Sequence, residues 1–147
     1  MATNKPVVYA TPEEKEDITR KVLIWLSNAP DLPVYIVKPE NMLQPNETGM
    51  CITVIRHAVT NTYITGGKRY EYQFGVIYRV IPSSIDDRLM AMQELNRLAE
   101  YAASTSPDLG AGITAKCQIT AKSALLIPYE NGDEDYQILG ILTYEVF

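Results

Sequence analysis

The chain is poor in the residues that most often build catalytic and metal sites. Among 147 residues it has one histidine, His57, and two cysteines, Cys51 and Cys117. Metal sites recruit several convergent ligands, so a lone histidine on a strand beside Arg56 reads as a structural or surface residue. The cysteines are far apart in sequence and lack a CxxC spacing, so they do not form a disulfide framework. Both are expected as reduced, half-buried strand residues of a protein made in a cytoplasm. Cys51 and His57, six residues apart, are expected on one strand face about 20 Å from each other at ~3.3 Å per residue, too far to share a proton. Cys117 could approach His57 across strands, but a buried thiol is the simpler reading.

Positive charge is also scarce. Thirteen Lys and Arg against eighteen Asp and Glu leave a net charge of −5. That excludes the broad basic face of a sequence-independent nucleic-acid binder. No apolar run reaches membrane-spanning length and no leader pattern is seen, so no membrane contact is expected. Phosphate loops are missing as well. Gly66-Gly67-Lys68 lacks the spacing of GxxxxGK[ST] and reads as a hairpin turn. Gly110-Ala111-Gly112 is too short for a dinucleotide fingerprint and precedes a strand. Glu130 and Asp133-Glu134-Asp135 lack the order of a calcium loop, and a solvated acidic turn is expected there. No enzyme activity, cofactor or metal is expected.

Phenylalanine is rare and tyrosine is not: two Phe stand against ten Tyr. Tyrosine suits a surface buried against a partner, because it joins apolar area to a polar tip. It also simply favours strands. Both readings stand at this point.

What is present organises as one domain over residues 1–147, with 46% hydrophobic residues to fill a core. Residues Met1 to Ala10 form an arm. Thr11-Pro12-Glu13-Glu14 starts a helix, with Thr as the cap, Pro at its first position and Glu closing a capping box. Ile18, Val22, Leu23, Trp25, Leu26 and Ala29 share its apolar side, and Ile24 points away. Val34 to Val37 is a short strand and Pro39 to Gly49 a loop. Met50 to Ala58 and Tyr70 to Ile81 form a hairpin joined through Thr60 to Lys68. Both of these loops are expected to be moving parts that meet neighbours. Ser84, followed by Asp86 and Asp87, caps a second helix. Its apolar arc holds Ile85, Leu89, Met92, Leu95, Leu98, Ala99, Ala102 and Ala103, with Asn96 inside it needing a partner. Met90 and Tyr101 lie on the opposite, polar side. Residues Ile113 to Ile127 are strand, kinked near Thr120 to Ser123 and stopped by Pro128.

This order predicts an α+β protein: a mostly antiparallel mixed sheet with two amphipathic helices packed on one face. The other face is left without helices. It would carry Gly75, Ile77, Leu139 and Ile141. The last strand, Tyr136 to Phe147, sets Tyr136, Ile138, Leu142, Tyr144 and Val146 on one side. Leu139, Ile141 and Phe147 lie on the other. A strand apolar on both faces is usually covered on both. An uncovered apolar face on a monomer points to a partner. The candidate interface residues are therefore Leu139, Ile141, Phe147 and Ile77, with Met90 and Tyr101 as the surface they meet.

Four features together resemble the small minor capsid or tail terminator proteins of long-tailed, siphovirus-like bacteriophages. They are the helix Thr11 to Asn28 leading into Pro30-Asp31-Leu32-Pro33-Val34, and the long hairpin ending in Tyr70-Glu71-Tyr72-Gln73-Phe74. The others are the Ser84-capped helix with Leu95, Leu98 and Ala99, and Gly132-Asp133-Glu134-Asp135 before Tyr136-Gln137-Ile138-Leu139. The resemblance covers nearly the whole chain and carries no catalytic signature. It implies a structural virion protein of the tail or neck, assembled in the bacterial host cytoplasm. The implied assembly is a homo-oligomeric ring, usually a hexamer, that caps the tail tube, ends its polymerisation and offers a surface to the head. Implied partners are other copies of the chain, the tail tube protein and a head–tail connector or neck protein. DNA would pass through an acidic lumen without specific binding. The alternatives are a head completion or neck connector protein and, in another class, a small ligand-binding or enzymatic α+β domain with a Tyr-lined pocket.

Overall fold

The computed structural model describes residues 6–40 and 42–147. Residues 1–5, half of the expected arm, and Asn41 in the expected loop lie outside the described residues. The elements in chain order are β1 (Val8–Tyr9), α1 (Pro12–Ser27), β2 (Val37–Lys38), β3 (Gly49–Thr62), β4 (Lys68–Val80), α2 (Ile85–Ser104), β5 (Ala115–Pro128) and β6 (Glu134–Val146). The fold is α+β. Its sheet runs β1-β3-β4-β6-β5, antiparallel throughout, and β2 adds a parallel pair to β3. β6 is antiparallel to both β4 and β5. Strands β4 and β5 therefore share a direction, α2 crosses between them, and β6 is slotted into the gap as in a split β-α-β unit.

Local sequence explains the helix starts. The Thr11 hydroxyl accepts from the Glu14 amide at 3.2 Å, and the Thr11 amide donates to Glu14 Oε1 at 3.0 Å. Ser84 accepts from the Asp87 amide at 3.2 Å. Each cap satisfies amides that the first helical turn leaves without partners. Both helices pack on one face of the sheet. Ile18, Val22, Trp25 and Leu26 of α1 and Leu95, Leu98 and Ala102 of α2 are buried over Tyr72, Phe74 and Val76 of β4 and Ile138 and Leu142 of β6. Phe74 lies opposite Gly140 in the β4–β6 ladder, and a Cβ at Gly140 would come within 3.0 Å of the Phe74 ring. The bare backbone there is the seat for that ring.

Several expectations change. The arm is partly a strand, since Val8 and Tyr9 pair with Val59 and Ala58. The hairpin is longer than expected, and its connection shrinks to Tyr63–Gly67, closed by Tyr63 N–H donating to the Gly67 carbonyl at 2.8 Å. Gly66 takes φ 93° there, a backbone state that a side chain disfavours. Ile85 and Leu89 are not core residues. They are exposed, because the buried stripe of α2 runs through Ala91, Leu95, Leu98 and Ala102. Extended back one turn, that stripe meets Arg88, which clasps Glu134 at the start of β6 rather than apolar surface. Asn96 finds its partner across the sheet edge, where its Oδ1 accepts from the Ser123 amide at 3.0 Å. That amide lies where β5 slips register against β6, the kink expected near Thr120 to Ser123.

Candidate assembly surface

The tyrosines are used inside the fold. Eight of the ten hydroxyls are bonded within the chain, and six of those tyrosines stand on strands or helices of the core layer or its rim. Tyr70 donates to Glu14 at 2.6 Å, Tyr78 to Glu94 at 2.8 Å and Tyr136 to Glu134 at 2.7 Å. The Tyr72 and Thr19 hydroxyls are hydrogen-bonded at 2.8 Å, and the Tyr144 hydroxyl is hydrogen-bonded to His57 Nε2 at 2.6 Å. Tyr101, Tyr63 and Tyr129 reach the Trp25 carbonyl, Glu145 and Asp135. Burial raises the Tyr70 and Tyr136 hydroxyls to about 12, and their carboxylate partners add to it. Three of these hydroxyls, on Tyr70, Tyr72 and Tyr78, tie helices to sheet, and the internal use of all eight favours the internal reading of the tyrosine surplus. Only Tyr9 and Tyr35 stand well out of the protein, with Tyr35 95% exposed.

His57 is buried in this aromatic layer, 5.1 Å from the Tyr72 ring and 5.8 Å from the Tyr70 ring. Its Nδ1 has no hydrogen-bond partner. Burial holds its pKa below the usual histidine value, with Glu14 opposing and Lys15 reinforcing the shift. The expectation that Cys51 and His57 share a strand face is corrected. The register slips between Val54 and Arg56, so His57 pairs with Tyr72 on the helix side while Cys51 pairs with Ile77 on the other. One inserted residue inverts the alternation for everything beyond it. Cys51 and Cys117 are both buried, on strands separated by β4 and β6. Burial pushes the Cys117 thiol up to about 12, so it is not a thiolate at neutral pH.

The face away from the helices carries the expected residues in adjacent rows. Ile141 pairs with Gln73 and Gln118, Leu139 with Gly75 and Ala121, and Ile77 with Gln137 and Cys51. Ile77, Leu139 and Ile141 are half-buried, and no described helix packs over them. Their partial burial comes from the sheet itself. Gly75 leaves a hollow into which Gln137, Thr53 and Leu139 fold, and a Cβ at Gly75 would meet their tips at 2.6, 3.0 and 3.2 Å. Phe147 is 79% exposed but is not part of that row. It stacks on Tyr63 at 5.7 Å and lies against Gly67 at the hairpin corner.

One end of this face is closed by polar contacts that the sequence did not reveal. Arg79 grips Asp135 with two bonds of 2.8 and 3.0 Å, and donates to Tyr129 Oη at 3.1 Å and the Gln44 carbonyl at 3.2 Å. Its guanidinium also lies 4.9 Å from the centre of the Tyr129 ring. Asp135 raises the Arg79 pKa further, so the pair stays charged. Asp133 is buried too, accepting from the Asn46 amide at 2.9 Å and Asn131 Nδ2 at 3.0 Å. The expected solvated acidic turn is therefore corrected: Asp133 and Asp135 face inward, Asp133 because the Asn46 amide of the loop ending at Gly49 donates to it and Asp135 because Arg79 and Tyr129 do. That loop is pinned again where Lys38 holds Glu47, so its described part is tied down at three points.

Of the two residues expected on the far side of α2, Met90 is exposed and Tyr101 is not stranded. Tyr101 lies 6.1 Å from the Trp25 ring and donates to the Trp25 carbonyl at 3.0 Å, joining the helices. Its seat is set by Trp25 on the other helix, which the helical wheel of α2 alone does not contain. Sequence reasoning also missed a set of exposed apolar side chains at the sheet edges, including Tyr35, Ile36, Leu125, Leu126 and Ile127. The run Ala124-Leu125-Leu126-Ile127 before Pro128 was the available signal.

A cleft of about 510 Å³ lies between α1 and the Pro39–Glu40 segment, lined by Lys15, Glu16, Thr19 and Leu23 and by no tyrosine. Lys15 and Glu40 pair across it at 3.3 Å. Among the described residues, no three or more His, Cys, Asp or Glu are arranged to hold a metal ion, and no helix is long and apolar enough to cross a membrane. No protein-family model matches the chain, and no curated protein sequence matches it.

Proposed function

We propose that the chain is a structural ring subunit that caps a phage tail tube and presents a surface for joining the head. The reading rests on the resemblance of the α1, hairpin, α2 and last-strand pattern to tail terminators. The observation that carries it is the sheet face bearing Ile77, Leu139 and Ile141, over which no described helix packs. Leaving a Leu or Ile exposed forgoes roughly 1.5–3 kcal/mol of burial, so a half-covered row is suited to a neighbour. The test is to mix the purified protein with growing tail tubes and image the product. A ring at one tube end with growth arrested is the expected result. Tubes that elongate as they do without the protein would sink the reading. Binding to head portals without binding to tubes would move the assignment to a neck connector.

A further inference from the structure

Of the chain's asparagines, only Asn131 is followed by a glycine. The pair lies in the turn between β5 and β6, where Asn131 is exposed. Gly132 takes φ 96° there, and nothing lies within 4 Å of the place its Cβ would occupy. Glycine supplies the positive φ that the turn needs. It also leaves its own nitrogen unshielded. Asparagine is a thermolabile residue, and a following glycine is the context in which the next backbone nitrogen most readily attacks the side-chain amide.

In the folded chain both reacting groups are held. Asn131 Nδ2 donates to Asp133 Oδ2 at 3.0 Å, and Asn131 Oδ1 accepts from the Asp133 amide at 3.0 Å. The Gly132 amide donates to the Tyr129 carbonyl at 3.1 Å. Asp133 is 2% exposed, and its Oδ2 also accepts from the Asn46 amide at 2.9 Å. Its Oδ1 has no hydrogen-bond partner. The neutral amide of Asn131 thus supplies one of two donors, among the described residues, to a buried carboxylate.

We propose that Asn131–Gly132 is a self-modifying site: the closed turn holds its deamidation back, and the product, once made, keeps the loop ending at Gly49 from closing on the turn. The Gly132 nitrogen bonds to Asn131 Cγ, the Cγ–Nδ2 bond breaks, and ammonia leaves with the proton from the Gly132 N–H. Water then opens the imide at either of its carbonyls and leaves aspartate or isoaspartate. Ring closure requires Nδ2 to leave Asp133 and the Gly132 N–H to leave Tyr129, so it proceeds from a locally opened turn. The product sets a carboxylate where an amide had donated to Asp133. Two carboxylates roughly 3 Å apart cannot both stay ionised at such a seat. Arg79 offers no relief, because it is committed to Asp135 by two bonds. Asp133 moves out, and the Asn46 amide loses its acceptor. The isoaspartate form also lengthens the main chain of the turn by a carbon.

The test incubates the full chain at neutral pH, folded in buffer and unfolded in guanidinium chloride, and maps peptides for the mass change of amide to acid at Asn131. Conversion is expected in the unfolded chain, and at least about tenfold more slowly in the folded one, because opening must come first. Equal rates overturn the protection, and an unfolded chain that does not convert overturns the site. The consequence is read by hydrogen exchange of residues 42–49 in the converted chain, isolated by anion exchange and refolded, and in Asn131→Asp. Whichever of the two keeps the wild-type near-UV circular dichroism carries the comparison. Exchange there is expected to rise by about tenfold or more while that of α1 and β4 is unchanged. Asn131→Ser keeps an oxygen for the Asp133 amide and adds no charge, so its rise should be smaller. An unchanged rate over residues 42–49, or an equal rise in Asn131→Ser, overturns the charge-driven release.

Discussion

On the helix side of the sheet, the large side chains of β4 and β6 are buried, and the tyrosine hydroxyls among them are bonded to groups on α1, α2, β3 or, for Tyr136, its own strand. On the other side the same two strands present Gln73, Gly75, Ile77, Gln137, Leu139 and Ile141, mostly half-buried and shielded only by one another. Both faces belong to one ladder without a register slip between β4 and β6. The difference lies in what covers them. Apolar content alone therefore does not place a residue in the core; a cover does. The second face is also divided, since its Arg79 end is locked by the loop and turn while its Ile141 end stays open.

The largest effect should come from the covered face. Phe74→Ala empties a site that is 1% exposed and leaves Gly140 without its ring. Urea unfolding is expected to show a loss of about 3–5 kcal/mol. A loss under about 1 kcal/mol would mean that the helices can settle into the gap, and the contrast between the faces would weaken. The locked end of the open face comes next. Arg79→Ala leaves Asp135 buried without its cation, and breaking such a pair costs about 3 kcal/mol or more. Arg79→Lys should recover little of it, because a single ammonium cannot make two bonds to Asp135 and still reach the Gln44 carbonyl. Full recovery with lysine would show that charge, not the fork, holds that end shut.

Acid should loosen the helix side first. The folded pKa of His57 lies below its unfolded value near 6.5, so the unfolded chain takes up the proton first. The resulting stability is complete above about pH 6.5 and falls as the pH drops through the window down to the folded value, by at most ~1.4 kcal/mol per pH unit. The groups facing the ring are Tyr70, Tyr72 and Tyr144, with Glu14 and Lys15 near enough to act on its charge. Glu14 shows the opposite case: the Tyr70 hydroxyl holds its pKa down. Its contribution is present above about 4.5 and is lost as the pH falls through its lower folded value, a separate window. His57→Gln should flatten the upper window and spare the lower one. An unchanged slope near pH 6 would assign that titration elsewhere.

Both helices could be read from the sequence because their signals are local: Thr11 with Glu14, and Ser84 with Asp87. The core face of β4 and β6 was legible from strict alternation. What stayed hidden depends on residues far apart in the chain. The Val54–Arg56 slip, which turns His57 inward, has no glycine or proline to announce it. Asp133 looked like surface because its donor, Asn46, lies 87 residues earlier. The pairing of Val8 and Tyr9 with β3 and the seat of Tyr101 against Trp25 are hidden for the same reason. Among the interface candidates, Ile77, Leu139 and Ile141 fell where alternation put them, whereas Phe147 was drawn to the hairpin corner by Tyr63.

The smallest effect on folding, and the sharpest contrast, lies between neighbours. Ile141 and Leu142 are adjacent on β6 and point to opposite faces. Leu142 is 0% exposed, so Leu142→Asp would bury a carboxylate among apolar side chains and should prevent folding. Ile141 is half-buried beside Gln73 and Gln118, where a carboxylate can still reach water. Ile141→Asp is therefore expected to cost about 1 kcal/mol and leave a folded monomer. If the open face meets the tube rather than the next subunit, this variant should still form rings in sedimentation, and its defect should appear only when tubes are added. Loss of the ring itself would return the subunit contact to the open face, with Leu139 and Ile77 beside it. An unfolded Ile141→Asp chain would mean that the two faces are one core, and the comparison between them would fail.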